Sequence, residues 1–366
     1  MRPELRIWDA AVPEGRQAWI ESWNLWPGRE IFAHPDYVRL HAAPYERALC
    51  AAASAGGSHV LYPFLLRPLG AEPYCDAARR DCTDIATPYG YGGPFRWGDA
   101  WNPDASRAFW MEFDAWAGKS HVVSEVVRLS LFPETMIGYS GERRVLLENV
   151  VRVLNSEDEL WRDFEYKVRK NVNRARASGL TVKIDENGDR LDDFLAIYTA
   201  TMDRRSARDS YYFPREYFER LQTDLKGHLT YFHVLGGGAV ISSELVLISA
   251  QRVYSFLGGT DAAWFHARPN DLLKLEVMNW ARNAGKREYV LGGGYARGDG
   301  IYRYKLSFAP HGVVPFTLGS RILDTEAYQQ MVHSRQTFAS MQGSPWLPDP
   351  NYFPAYRSAH FTADNR

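Results

Sequence analysis

Apolar residues recur at helical spacing most clearly between Leu273 and Ala284. Leu273, Val277, Trp280, Ala281 and Ala284 fall at i, i+4, i+7, i+8 and i+11, which gives one apolar face. Asn270, just after Pro269, is the expected N-cap, and Gly285 stands where the helix should stop. The segment from Tyr254 to Gly259 before this helix and EYVLGGG after it read as strands. A strand, helix, strand unit with such short joints belongs in a mixed α/β sheet.

The same patterning predicts the other elements. Helices are expected over Glu14–Trp26, over HPDYVRLHA, and from Asp104 to Ala117. Arg47–Ala53 and His59–Arg67 read as paired strands turning at Gly56 and Gly57. Cys75–Trp101, rich in Gly, Pro and Tyr, reads as a functional loop, and VVSEVVRLSLF and ENVVRVL as strands. One long helix is expected from Ser156 to Ser178, with Ser156 and Glu159 at capping-box spacing and Gly179 as its stop. LTVKIDE reads as a strand, and Leu191, Phe194, Leu195 and Tyr198 mark a further helix. PREYFERLQTDLKG is another helix, followed by strands HLTYFHVL, AVISSELVLIS and RVYSFLGG. The stretch from Ser344 to the end, rich in Pro and aromatics, reads as an extended arm. The two halves of the chain follow a similar order of elements.

At 366 residues the chain exceeds one core of ordinary size, and two domains are expected. A formal net charge of −1 excludes a uniformly basic nucleic-acid binder, so any RNA contact must come from a local patch. Three cysteines, Cys50, Cys75 and Cys82, without CxxC spacing argue against a zinc site or a disulfide framework. The first residues carry no apolar signal region, and no run approaches 18 apolar residues. These features lead to the expectation of a cytoplasmic protein without a membrane span.

Sequence signatures of the common nucleophilic, metal and P-loop enzymes (GxSxG, HExxH and GxxxxGK[ST]) do not occur. The glycine triplet Gly236–Gly238 lies between strands and reads as a hairpin turn; Gly292–Gly294 follows a strand without opening a helix. Lys305 lies in IYRYKLSFA, read as strand-like, aromatic and poor in carboxylates. A lysine there is either a snorkelling edge residue or a fixed cation in a groove. Lys167, Arg169, Lys170, Arg174 and Arg176 form a basic run without a carboxylate between Glu165 and Asp185. Such a run is either a solvated face or a phosphate-binding ridge. Arg204, Arg205, Arg208, Tyr211 and Tyr212 add a second basic and aromatic cluster, either a salt-bridged loop or a diphosphate clamp.

Taken in order, KxRKNxxRAxxSG, RRSARDSYYFPREYF, YSFLGGTD, RPNDLLKLEVMNWARNAG, LGGG and GIYRYKLSF resemble the FemX/FemAB-like family of GNAT-fold, aminoacyl-tRNA-dependent peptidyl transferases. The likeness covers Ser156 to Gly312; in the first half it extends to HPDY and TPYGYGGPF. It implies an α/β protein of mixed sheets with two tandem GNAT-like domains. The first is expected at residues 1–152, joined by 323–366, and the second, carrying the catalytic cleft, at 153–322.

By position in these motifs, Tyr304 and Lys305 take the place of the family's aromatic–lysine pair at the reaction centre. Arg208, Tyr211, Tyr212, Tyr91, Arg39, Tyr254 and Asn270 make up the implied substrate-binding set. Lys167, Arg169, Lys170, Arg174 and Arg176 make up the implied tRNA- or phosphate-binding set. The implied activity moves an aminoacyl group from aminoacyl-tRNA to an amine, on a peptidoglycan precursor or a natural-product or peptide intermediate. No cofactor or metal is expected besides the tRNA co-substrate, and the protein is expected to act as a monomer. Two alternatives stand beside it: an N-acyltransferase using acetyl-CoA or another acyl-CoA, and a non-catalytic binder of RNA or an anionic polymer. The loop HARPND lacks the glycines with which CoA-using members hold pyrophosphate.

Overall fold

The computed structural model describes residues 4–99 and 102–359. In chain order the elements are β1 (Glu4–Asp9), α1 (Pro13–Leu25), α2 (Pro35–Leu40), β2 (Arg47–Ala55), β3 (Ser58–Pro68), β4 (Thr83–Ala86), β5 (Phe95–Gly98), α3 (Pro103–Lys119), β6 (Val122–Arg128) and β7 (Glu142–Val153). They continue as α4 (Glu157–Asp163), α5 (Tyr166–Ala177), β8 (Thr181–Asp185), α6 (Leu191–Arg205), α7 (Arg215–Asp224), β9 (Leu229–Gly236), β10 (Ala239–Ile248) and β11 (Arg252–Thr260). The last are α8 (Pro269–Asn283), β12 (Glu288–Gly293), α9 (Gly300–Leu306), β13 (Val313–Ile322) and α10 (Thr325–Met341). No helix among the described residues is long and apolar enough to cross a membrane.

Two compact units divide the chain. The first comprises Met1–Pro27, Phe32–Leu146 and Phe316–Arg366; the second comprises Gly28–Ile31 and Leu147–Pro315. In the first unit β1, β2, β3 and β4 pair antiparallel in that order. The strand β6 then lies parallel to β4, and β13 antiparallel to β6. The helix α3 connects to β6 and buries Phe109, Trp110, Phe113 and Ala117 among Leu49, Val60, Tyr62 and Phe64 of the sheet.

The second unit repeats this plan. Strands β8, β9, β10 and β11 run antiparallel, and β12 lies parallel to β11 after the crossover helix α8. From Asn149 to Val153, β7 closes this sheet against β12. Its core joins Val168, Val172 and Ala175 of α5 to Leu272, Leu273, Val277, Met278 and Ala281 of α8 over Phe232, Val246 and Tyr289. Of the stripe read from sequence, Leu273, Val277 and Ala281 are in this core, Trp280 packs half-buried against it, and Ala284 is exposed just beyond the end of α8.

Where the structure departs from the sequence reading, local reasons can be named. The helix expected over Ser156–Ser178 is two helices, because Phe164 is extended (φ −59°, ψ 141°) and buried in the core. Its burial outweighs one continuous hydrogen-bond ladder. The broken end of α4 is satisfied by Arg169, whose Nη1 donates to the carbonyls of Trp161 and Arg162 at 3.3 and 3.1 Å and also to that of Phe164. The segment around Lys305 is the helix α9, not a strand. Asp299 caps it, its Oδ1 accepting from the Tyr302 amide at 2.7 Å, and this cap overrides the β preference of Ile301, Tyr302 and Tyr304. Asn270 is not the N-cap of α8: Arg268 holds that place at φ 61°, with Pro269 at the first helical position. The expected loop over Cys75–Trp101 contains β4 and β5, while Trp101 lies outside the described residues. The helix α10 lies in a segment with no element assigned from sequence.

Candidate active site

Lys305 is half-buried on the last turn of α9. Its Nζ donates to the Gly293 carbonyl, at the end of β12, over 2.7 Å. Beside it on the same helix, Tyr304 packs edge-to-face on Phe308, with ring centroids 5.2 Å apart. The Tyr304 hydroxyl is buried and has no hydrogen-bond partner among the described residues. A buried, unpaired hydroxyl carries a cost that a bound ligand would remove.

Beneath this pair lies a polar network in the apolar core. Lys274 on α8 donates to Glu244 Oε1 at 2.7 Å, to Ser255 Oγ at 2.9 Å and to Tyr289 Oη at 3.1 Å. The Tyr289 hydroxyl also donates to Glu244 Oε1, at 2.5 Å. Glu244, Lys274 and Tyr289 are 3%, 6% and 0% exposed, so the charges are out of water and held by each other. The second oxygen of Glu244 is buried without a partner among the described residues. The register of β10 against β11 slips where Leu245 pairs with Leu257 and Val246 with Ser255, leaving Phe256 as the extra residue.

These charges act on Lys305. Burial and then the positive charge of Lys274 lower its pKa to about 7, against the opposing pull of Glu244 and Asp299. Burial and the neighbouring carboxylates Asp271 and Glu244 push the Tyr304 hydroxyl well above its usual range. Asp271 stands in the first turn of α8, 5% exposed, and accepts from Asn171 Nδ2 of α5 at 3.1 Å. Burial raises its carboxyl to about 6.

Other residues singled out in the sequence take varied places. Arg208 is exposed, with its guanidinium 5.4 Å from the Tyr295 ring centre. The Tyr211 carbonyl accepts from the Tyr198 hydroxyl, and Tyr212 Oη donates to Asp203 Oδ1 at 3.0 Å. Arg205 is exposed, and Arg204 lies 5.0 Å from the Phe265 ring centre. Tyr254 does not face solvent: it is 3% exposed, and its hydroxyl donates to Glu30 Oε2 at 2.7 Å. Asn270 lies half-buried inside α8. Arg39 and Tyr91 belong to the first unit. There Arg39 is 3.5 Å from Asp36, and Tyr91 meets Phe32 and Phe316 edge-to-face.

The basic run divides by partner. Arg169 is withdrawn from any phosphate ridge, because its guanidinium serves the end of α4. Arg176 lies 3.8 Å from Glu276 and over the Trp161 ring, and Lys167 pairs with Glu165 at 3.1 Å. Lys170 and Arg174 are exposed on α5 and have no ion pair among the described residues.

A Ser–His–Asp alignment also occurs in this unit. Ser243 Oγ lies 2.9 Å from His233 Nδ1, and His233 Nε2 lies 3.4 Å from Asp185 Oδ2. It is not suited to nucleophilic catalysis, because all three residues are buried away from any substrate. Asp185 is occupied by the backbone amides of Asn187, Gly188, Asp189 and Arg190, at 3.2, 2.8, 3.0 and 2.9 Å.

Glu244, Lys274, Tyr289 and Asp271 were not singled out from the sequence. The available signal was a charge inside an apolar run: Glu244 within AVISSELVLIS and Lys274 within LLKLEV.

Residues 162–306 match the family model described as an acetyltransferase (GNAT) domain. Among solved structures, the crystal structure of FemX aligns with 86% of this chain and 98% of its own, at 14% identity and a TM-score of 0.65. The C-terminal domain of a putative lysylphosphatidylglycerol synthetase from Agrobacterium fabrum aligns with 83% of this chain and 92% of its own, at 14% identity and a TM-score of 0.53. L-PGS from Bacillus licheniformis aligns with 88% of this chain and 96% of its own, at 12% identity and a TM-score of 0.51. No curated protein sequence matches the chain. At these identities the likeness is one of fold: the chain has the FemX-type α/β architecture, with GNAT-like units.

Proposed function

We propose that this chain of FemX-type GNAT fold is an acyltransferase that takes an aminoacyl group from aminoacyl-tRNA and transfers it to an amine. The acceptor class is a peptidoglycan precursor or a peptide or natural-product intermediate. The observation that carries the choice of donor is the N-terminus of α8. A GNAT enzyme using CoA needs free backbone amides and positive potential there for the pyrophosphate. In this chain the first turn begins with Pro269, which has no amide proton, and contains the buried carboxylate of Asp271. Both features disfavour a diphosphate at that place. Lys170 and Arg174 on α5, without an ion pair among the described residues, supply an exposed cationic strip suited to a polyanionic donor.

The chemistry needs no protein nucleophile, because the donor ester is already activated. The acceptor amine attacks the ester carbonyl, and the cation of Lys305 stabilises the oxyanion that develops in a partly desolvated site. Lys305→Ala should lower turnover by roughly 10²–10³-fold in a folded protein. The deciding assay incubates the protein with candidate amines and either charged tRNA or acetyl-CoA, with and without RNase. RNase-sensitive product supports the reading. CoA-dependent, RNase-insensitive product replaces it with acyl-CoA chemistry. RNA binding without any product would favour a non-catalytic binder.

A further inference from the structure

A cavity of about 620 Å³ lies within the first unit, a volume ordinary for a small-molecule site. Its wall is built from β3, the turn after β3, α10 and the arm that follows α10. Arg67 of β3, Arg335 of α10 and Arg357 of the arm line it, against one lining carboxylate, Glu72. A second carboxylate, Asp84 of β4, is fully buried and bonded to two of these arginines. Both carboxylates are spent on Arg357 and on one edge of Arg67. Arg357 donates from Nε to Asp84 Oδ2 at 2.6 Å, from Nη2 to Asp84 Oδ1 at 3.3 Å, and from Nη1 to Glu72. Arg67 Nε donates to Asp84 Oδ1 at 2.7 Å, but Arg67 Nη2 is buried with no hydrogen-bond partner among the described residues. Arg335 is half-buried and has no carboxylate partner among the described residues. Its Nη1 donates to the Tyr356 carbonyl, and its guanidinium lies 5.2 Å from the Tyr74 ring centre and 4.4 Å from that of Trp346. Three guanidiniums thus meet two carboxylates. The orphaned donor and the surplus cation each cost free energy that an anion in the cavity would remove.

We infer that this cavity binds a small organic anion, a carboxylate or phosphate group joined to a flat apolar body. The anionic group takes Arg67 Nη2 and the remaining donors of Arg335, because a guanidinium presents paired N–H groups that match two oxygens of either anion. The apolar body rests on Trp346, Phe338 and Tyr352, which line the same cavity. Trp346 is held for that role: it is 5% exposed, and its indole N–H donates to the carbonyls of Ser358 and Ala359, both at 3.3 Å. Tyr352 is 48% exposed and gives the body a ring reachable from solvent. Arg357 has a different task. Its bonds to Asp84 and Glu72 tie the arm to β4 and to the turn after β3, and so hold the wall in place. A neutral apolar molecule would leave the guanidiniums unmatched, and a bare inorganic anion would leave the rings in water. One molecule carrying both parts satisfies both halves of the lining. No residue of the site belongs to the second unit.

Isothermal titration calorimetry of the whole chain tests this with phenyl phosphate and phenylacetate, which separate phosphate from carboxylate as the anionic group. Inorganic phosphate and benzyl alcohol serve as controls, each carrying one half of the ligand. At least one of the two probes should bind once per chain, with a Kd between roughly 10 μM and 1 mM. Each control should bind about tenfold more weakly or less. Arg67→Lys can keep the pairing with Asp84 while removing Nη2, and Arg335→Gln removes the cation without a counter-ion. Each variant should weaken the bound probe roughly tenfold or more. No binding of either probe up to roughly 10 mM, inorganic phosphate binding as well as the probes, or an unchanged Kd in either folded variant would overturn the site. A second readout needs no arginine variant. In protein labelled with 5-fluorotryptophan, the fluorine NMR signal that is missing from Trp346→Phe should shift as the probe is added. A Trp346 signal that stays in place while the probe binds would also overturn it.

Discussion

Glutamine at Glu244 tests whether the buried network beneath the site is an ion pair that the fold depends on. The substitution keeps the shape but removes the negative charge from Oε1, which now accepts from Lys274 at 2.7 Å and Tyr289 at 2.5 Å. Lys274, 6% exposed, is left with neutral acceptors only: the glutamine oxygen, Ser255 Oγ at 2.9 Å and Tyr289 Oη at 3.1 Å. An uncompensated buried charge of this kind costs about 3–5 kcal/mol. For a unit of this size that corresponds to a fall in melting temperature of roughly 6–20 °C. Removing the network's charges together, as Glu244→Leu with Lys274→Met and Tyr289→Phe, should come within about 2 kcal/mol of wild type, because no buried charge is left unpaired and only the half-buried Ser255 hydroxyl loses its partner. The assay is urea unfolding followed by tryptophan fluorescence and far-ultraviolet circular dichroism, with an unchanged m-value as the sign that only stability has moved. A Glu244→Gln protein within about 1 kcal/mol of wild type, or a triple variant as unstable as the single, would refute the argument.

Two further outcomes are expected. Asp271, raised to about 6 by burial, binds its proton more tightly folded than unfolded. Its contribution is therefore favourable at acid pH and lost as pH rises from about 4 to about 6. Asp271→Asn should match wild type near pH 4 and exceed it by about 2–3 kcal/mol at pH 7.5, read from urea midpoints across pH. On α5, Lys170→Glu with Arg174→Glu should weaken RNA binding and flatten its salt dependence by roughly 0.7 per lost phosphate contact. Arg169→Ala should instead cost about 1 kcal/mol of stability through the end of α4 and leave the salt slope unchanged, as filter binding and thermal melts would record.

Local patterns carried far in this chain where one element's own residues settle its state. Most of the stripe of α8, the strands β9 to β11 and the stops at Gly179 and Gly285, both left-handed at φ 72° and 71°, were legible. The candidate site was legible only in part. Lys305 and Tyr304 were found through their motif, but as members of a strand. The local β preference of their neighbours hid the cap supplied by Asp299. Arg169 looked like one more cation in a basic run, since nothing in its own segment reveals that the preceding helix ends at Asp163 and leaves carbonyls to serve.

The sequence by itself determined which segments bury a face, where most of them stop, and that a lysine stands in an aromatic setting near the second half's end. Those are properties of spacing within one element, written in residues a few positions apart. Tertiary structure alone decided that Glu244 and Lys274, on different elements, meet at 2.7 Å, and that Lys305, on a third, feels the charge of both. Electrostatics in a desolvated core depends on distance in space and on what remains unpaired, and neither quantity is carried by periodicity along the chain.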